Sequence, residues 1–155
     1  ITKKTLDVDL DIETNFGPKN IKDNIDSKPE FVWMNAESIG DNDPALNYYS
    51  NLPAVFIFDK PLLNYLQLST KRIIFLLDCL RELANKRSTQ VYLDNPIEYL
   101  KNKNFASTFA AVPKYKKITR VNIPTTEFPS VRLVKPINFY PSSYSSWKKR
   151  IELNI

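Results

Sequence analysis

Apolar and polar positions follow two different rhythms along the chain, and the change near residue 31 marks its first boundary. Before it, "TLDVDLDIE" sets Leu6, Val8, Leu10 and Ile12 against Asp7, Asp9, Asp11 and Glu13. That alternation fits either one half-exposed strand added at a sheet edge or a flexible arm. "FGPKNIKDNIDSKPE" then has the Gly, Pro, Asn and Asp density of a connection. From residue 31 onward, short continuous apolar runs alternate with helical patterns. "FVWM" (31–34) and "AVFIF" (54–58) have the form of strands covered on both faces. Between them Asp43 is placed to cap a helix whose first position is Pro44, where a missing N–H costs nothing. Ser69 or Thr70 opens the strongest helical pattern, "KRIIFLLDCLRELANK", in which Ile73, Leu76, Leu77, Leu80, Leu83 and Ala84 recur at helical spacing.

The same unit repeats further on. "TQVYL" (89–93) reads as a third strand, and "DNPIEYLKNK" sets Pro96 in a first helical turn behind Asp94 or Asn95. "STFAAV" (107–112) reads as a fourth strand, the basic stretch "PKYKKITRVN" follows it, and "VRLVK" (131–135) reads as a fifth. In the tail, Tyr144, Trp147 and Ile151 are spaced for one face of a last short helix. Strands alternating with helices predict an α/β domain over residues 31–155, a Rossmann-like, three-layer, doubly wound sheet of about five parallel strands. Residues 1–30 form an acidic N-terminal extension to it.

Composition narrows the chemistry. A chain of 155 residues with 43% hydrophobic and 25% charged residues is sized for one globular domain. No apolar run is long enough to cross a bilayer, and no secretory signal is visible, so a soluble, cytoplasmic protein without membrane contact is expected. Cys79 is the one cysteine and falls on the inward side of the long helix, which points to a reducing compartment. The chain has no histidine, which removes the usual general base, the usual metal ligand and any histidine-supported triad. No catalytic or metal-binding residue is therefore assigned. Two glycines, Gly17 and Gly40, cannot build G-x-G-x-x-G or a Walker loop.

Charge is unevenly spread. Residues 1–30 carry five lysines against seven acids, whereas residues 101–155 carry eleven lysines or arginines against two acids. Lys114, Lys116, Lys117, Arg120, Lys148, Lys149 and Arg150, interleaved with aromatic side chains, fit either a nucleic-acid or partner surface or a solvated basic face.

The order of elements and one motif resemble the N-terminal α/β domain of the DNA photolyase/cryptochrome family. In that family the first strand and turn read close to V-W-F-R-R-D-L-R-L-x-D-N-P-A-L, and here the stretch is "FVWMNAESIGDNDPAL". Trp33 fits the tryptophan, Glu37 stands at the acidic position, and Asp43, Pro44, Ala45 and Leu46 fit the start of the crossover helix. "AVFIFDK", "LSTKRIIFLLDCLREL", "TQVYLDNPIEYLK" and "NFYPSSYSSWKKR" are similar, in order, to later elements of the family domain. The resemblance covers about residues 31–150. It implies a strand order 3-2-1-4-5 with a ligand crevice at the carboxyl ends of strands 1 and 4. It also implies a binding or antenna-type role in light-dependent DNA repair or blue-light sensing, with a folate or deazaflavin chromophore. An FAD-binding helical domain would be the partner, and without it neither FAD nor carbon–carbon lyase activity is expected. Two departures stand out. Asn35, Ala36 and Ile39 replace the family's arginines, and Lys114, Tyr115 and Lys116 offer no carboxylate in the loop that holds folate in relatives.

Candidate ligand contacts follow from the carboxyl ends of the strands. Asn35 and Glu37 flank a helix start that attracts anions, unless Asp43 occupies those N–H groups itself. Asp59 and Lys60 after strand 2, Asp94 after strand 3, and Lys114 and Tyr115 after strand 4 complete the set; several of them are equally good turn or cap residues. A different class of function is a Rossmann-like interaction module that docks a protein partner through its acidic leader and basic tail.

Overall fold

The computed structural model describes residues 17–24, 26–66, 68–132, 134 and 142–151. The continuous apolar run Phe31–Met34 forms β2 and is buried at every position, as a strand covered on both faces must be. It lies in the middle of a six-stranded sheet whose other members are β1 (Lys22–Asp23), β3 (Ala54–Asp59), β4 (Thr89–Asp94), β5 (Phe105–Thr108) and β6 (Thr126–Phe128). The order is β1-β6-β5-β2-β3-β4. β2 runs parallel to both β3 and β5, β4 parallel to β3, and β6 parallel to β5, whereas β1 is antiparallel to β6. The fold is thus α/β with a mostly parallel sheet.

Among the described residues six helices accompany it: α1 (Pro44–Tyr48), α2 (Lys60–Tyr65), α3 (Thr70–Ala84), α4 (Pro96–Leu100), α5 (Pro113–Val121) and α6 (Tyr144–Lys148). Period-two alternation in the strands divides the core. Phe31, Trp33, Val55, Ile57 and Phe105 face one way and pack with Leu100 of α4 and Tyr115 and Ile118 of α5. Val32, Met34, Ala54, Phe56 and Ala106 face the other way and pack with Ala45 and Leu46 of α1 and Leu80 and Leu83 of α3. The chain steps outward from β2 to β4, then jumps back to β5 and continues to β6. Crossovers of one hand place helices on opposite faces when the direction of travel reverses, so the sheet is wound on both sides.

Several expectations need correction. The five-strand order 3-2-1-4-5 is not matched by the strands assigned to it. The strand beside β5 is Thr126–Phe128 instead of residues 131–135, and the antiparallel β1 lies outside it. Val131 is exposed and Val134 makes only an isolated bridge, whereas Thr126 and Phe128 are buried. β5 covers residues 105–108 and not 107–112, because Pro113 starts a helix and the four residues before it are needed to turn the chain. The basic stretch is that helix, α5, which turns Tyr115 and Ile118 inward. α2 was not expected at all. The connection after the leader supplies β1, where Lys22 and Asp23 pair with Glu127 and Thr126 and the Thr126 hydroxyl donates to Asp23 at 2.7 Å. The alternating residues 5–13 lie outside the described residues. Cys79 is only half-buried, since α3 buries Leu80 and Leu83 but leaves Ile74, Phe75 and Leu77 51%, 65% and 42% exposed. Among the described residues no helix is long and apolar enough to cross a membrane.

Candidate functional site

The carboxyl ends of β2 and β3 open into a cavity of about 160 Å³. Four segments close it: the turn after β2, the helix α2, the start of α3, and the start of α5. Trp33, Met34, Phe56 and Phe58 come from the strand ends, and Leu62, Leu66 and Leu76 from α2, the residue after it, and α3. The walls are therefore chiefly apolar, with Asn35, Glu37, Asp59, Arg72 and Lys114 at polar positions around them.

Local chemistry explains how each polar group arrives there. Asn35 is half-buried and ties the two central strands together at the switch point: its Nδ2 donates to the Thr108 carbonyl at 3.3 Å, and its Oδ1 accepts from the Glu37 amide at 3.1 Å. Asp59 ends β3 and caps α2, accepting from the Leu62 amide at 3.0 Å, with Pro61 in the first turn where its missing N–H is harmless. The other carboxylate oxygen of Asp59 stands 3.7 Å from the Lys114 ammonium. This pair joins α2 to α5 along one side of the cavity. Tyr115 is buried, with its ring stacked on Trp33 at 5.5 Å and 4° between planes. Its hydroxyl donates to Glu127 at 2.9 Å. Burial first, and the Glu127 charge second, push its phenol far above the usual range, so it is a neutral structural wall.

Of the residues singled out from the sequence, Asn35, Glu37, Asp59, Lys114 and Tyr115 line this one cavity. Lys60 and Asp94 do not. Lys60 is exposed on α2, and Asp94 is exposed at the end of the edge strand, accepting from the Asn95 amide at 2.7 Å. Of the two alternatives at the start of α1, an anion site or a cap by Asp43, the structure has the cap. Pro44 has no N–H, Thr108 Oγ1 accepts from the Ala45 amide at 3.2 Å, and Asp43 Oδ1 accepts from the Leu46 amide at 2.9 Å. Sequence reasoning missed Arg72 and the leucines of α2. The signal for α2 was present in "DKPLLNY", an acid two residues before a proline and an apolar pair.

No known protein family, curated protein or solved structure matches the chain.

The basic residues divide between two elements. Lys116 is half-buried and Lys117 and Arg120 are exposed on α5, away from its inward Tyr115 and Ile118, while Lys114 turns toward the cavity. Lys148 belongs to α6, and Lys149 and Arg150 follow it, all three exposed. The Tyr144 and Trp147 rings of α6 contact each other at 5.5 Å. Among the described residues no group of three or more potential ligands could hold a metal ion.

Proposed function

We propose that this domain binds a small ligand through one flat, apolar ring and holds it without transforming it. The single observation behind this reading is the apolar cavity at the carboxyl ends of β2 and β3, where Asn35, Glu37, Asp59 and Lys114 surround aromatic and leucine side chains. Its volume of about 160 Å³ is close to that of a cavity that accepts benzene. It is below the roughly 300–1,000 Å³ of sites that enclose a whole drug-sized molecule. One ring fits inside, and the remainder of a larger ligand lies outside along neighbouring clefts. The family reading extends this proposal to an antenna-type or binding role like that of the photolyase/cryptochrome N-terminal domain, with the ring of a folate or deazaflavin as occupant. The collinearity of residues 31–150 with the family's elements supports it.

The test is retention of a folate or a deazaflavin after gel filtration, read by near-ultraviolet and visible absorbance and by quenching of tryptophan fluorescence. Leu76→Trp, which fills the cavity from α3, is expected to weaken binding by about tenfold or more while leaving the fold intact. Absence of retention and quenching by micromolar ligand would overturn the chromophore reading.

A second reading, an interaction module, is favoured by the edge strand β4. Thr89–Leu93 contains neither charge nor proline, its outer backbone edge is unpaired among the described residues, and Val91 and Leu93 are 43% and 62% exposed. Such an edge invites another strand. Antiparallel pairing about Val91 sets Thr89 opposite Leu93 and Gln90 opposite Tyr92 with no like charges facing, so a second copy of this chain is the matching partner. Light scattering across a concentration series is expected to show a dimer that Val91→Lys reduces to monomer; a monomer at every concentration would rule this reading out.

A further inference from the structure

A second cleft, of about 480 Å³, lies at the switch point between the turn after β2 and the residues after β5. It shares Asn35 and Glu37 with the apolar cavity but differs from it in charge. Glu37, Asp41 and Asp43 line it, and among the described residues no lysine or arginine does, on a chain whose net charge is +5. Asp41 is already paired with Lys86. Asp43 makes no salt bridge among the described residues. It is only 6% exposed; one carboxylate oxygen caps α1, and the other, Oδ2, has no hydrogen-bond partner among the described residues. Arg87 lies within the field of the Asp43 charge, but its terminal nitrogens donate to the carbonyls of Leu46, Tyr49 and Leu52, and its Nε has no hydrogen-bond partner among the described residues.

Burial pushes the Asp43 carboxyl above the usual range and one of its oxygens lacks a hydrogen bond, so a cation in the adjoining cleft, added to the Arg87 charge, favours its ionised form through the low-dielectric wall without having to touch it. A hard divalent ion is a poor candidate, because it demands about six oxygen ligands and no metal-binding cluster is present among the described residues. An organic ammonium needs only an acceptor and a field of the right sign. The cleft volume falls in the range of small-molecule sites.

We propose that this switch-point cleft binds a small aliphatic ammonium ligand, neutralised by Asp43 in its wall and attracted by Glu37 at its mouth. The site does not depend on occupancy of the apolar cavity.

The full chain titrated with putrescine, followed by calorimetry and by amide chemical shifts, tests this. Saturable binding is expected, with the largest shifts at residues 37–43 and 108–111. Asp43→Asn keeps a side-chain oxygen to cap α1 and removes the charge, so it folds and weakens binding about tenfold or more. Glu37→Gln alters only an exposed turn residue and weakens binding a few-fold, which keeps the test decisive if the first variant is poorly folded. Equal effects from potassium chloride at matched ionic strength would overturn the proposal. So would unchanged affinity in both variants, shifts centred elsewhere, or no saturation by about 10 mM.

Discussion

Gly17 shows how much one residue carries. Its φ of +77° lies in the left-handed region, and a Cβ built there would fall on the ring of Phe109. That ring packs edge-on against Tyr115 at 5.6 Å, and Tyr115 stacks on Trp33, so the strain reaches the wall of the apolar cavity. Gly17→Ala is expected to lower stability by about 2 kcal/mol or more, adding left-handed backbone strain to overpacking. Urea denaturation measures this directly. Gly40→Ala is the comparison: its φ of +159° also strains a side chain, but its Cβ would meet nothing within 4 Å, so its loss lacks the overpacking part and should be smaller. The site was partly legible at this scale. Asn35, Glu37 and Asp59 stand at or just after strand ends, and Lys114 and Tyr115 open the helix that follows β5, so all five gather where the ends of parallel strands converge. Lys60 and Asp94 stand just after strands too, but the turn of α2 carries Lys60 outward and the edge position of β4 leaves Asp94 outside.

Single elements owe their existence to partners at their ends. α1 has only five residues, too short to persist alone, and is tied at both ends. Asp43 and Thr108 hold its first amides, and the Arg87 guanidinium gathers the carbonyls of Leu46 (2.9 Å) within it and of Tyr49 (2.7 Å) and Leu52 beyond its end. A lysine has the charge but lacks the planar fork that reaches several carbonyls at once. Arg87→Lys is therefore expected to cost about 1–2 kcal/mol. Hydrogen exchange should quicken at residues 46–52 more than in β2 or β3, and uniform exchange across these segments would show that the clamp is unimportant. α2 had a readable cap signal, whereas two other elements that escaped sequence reading share a cause. α5 turns only Tyr115 and Ile118 into the core from an otherwise basic stretch, and β6 has three residues with Glu127 between two buried ones. Each is too short or too polar for periodicity to reveal.

For the whole molecule, the alternation of buried strands and helices followed from the chain itself. Continuous apolar runs at 31–34 and 54–58 became central strands, and the acid- or amide-then-proline signals at Asp43–Pro44 and Asn95–Pro96 became helix starts. These outcomes are local, since a cap or an apolar run acts within about one turn or one strand. What lies far apart in sequence was settled only by the tertiary structure. The pairing of Phe31 with Phe105 and of Lys22 with Glu127, the edge position of β4, the apolar cavity and the unpartnered Asp43 oxygen all depend on segments that meet only after the chain has doubled back. Local pattern specifies what each segment is able to bury, whereas long-range pairing decides which surfaces remain uncovered and therefore where a ligand or partner can be held.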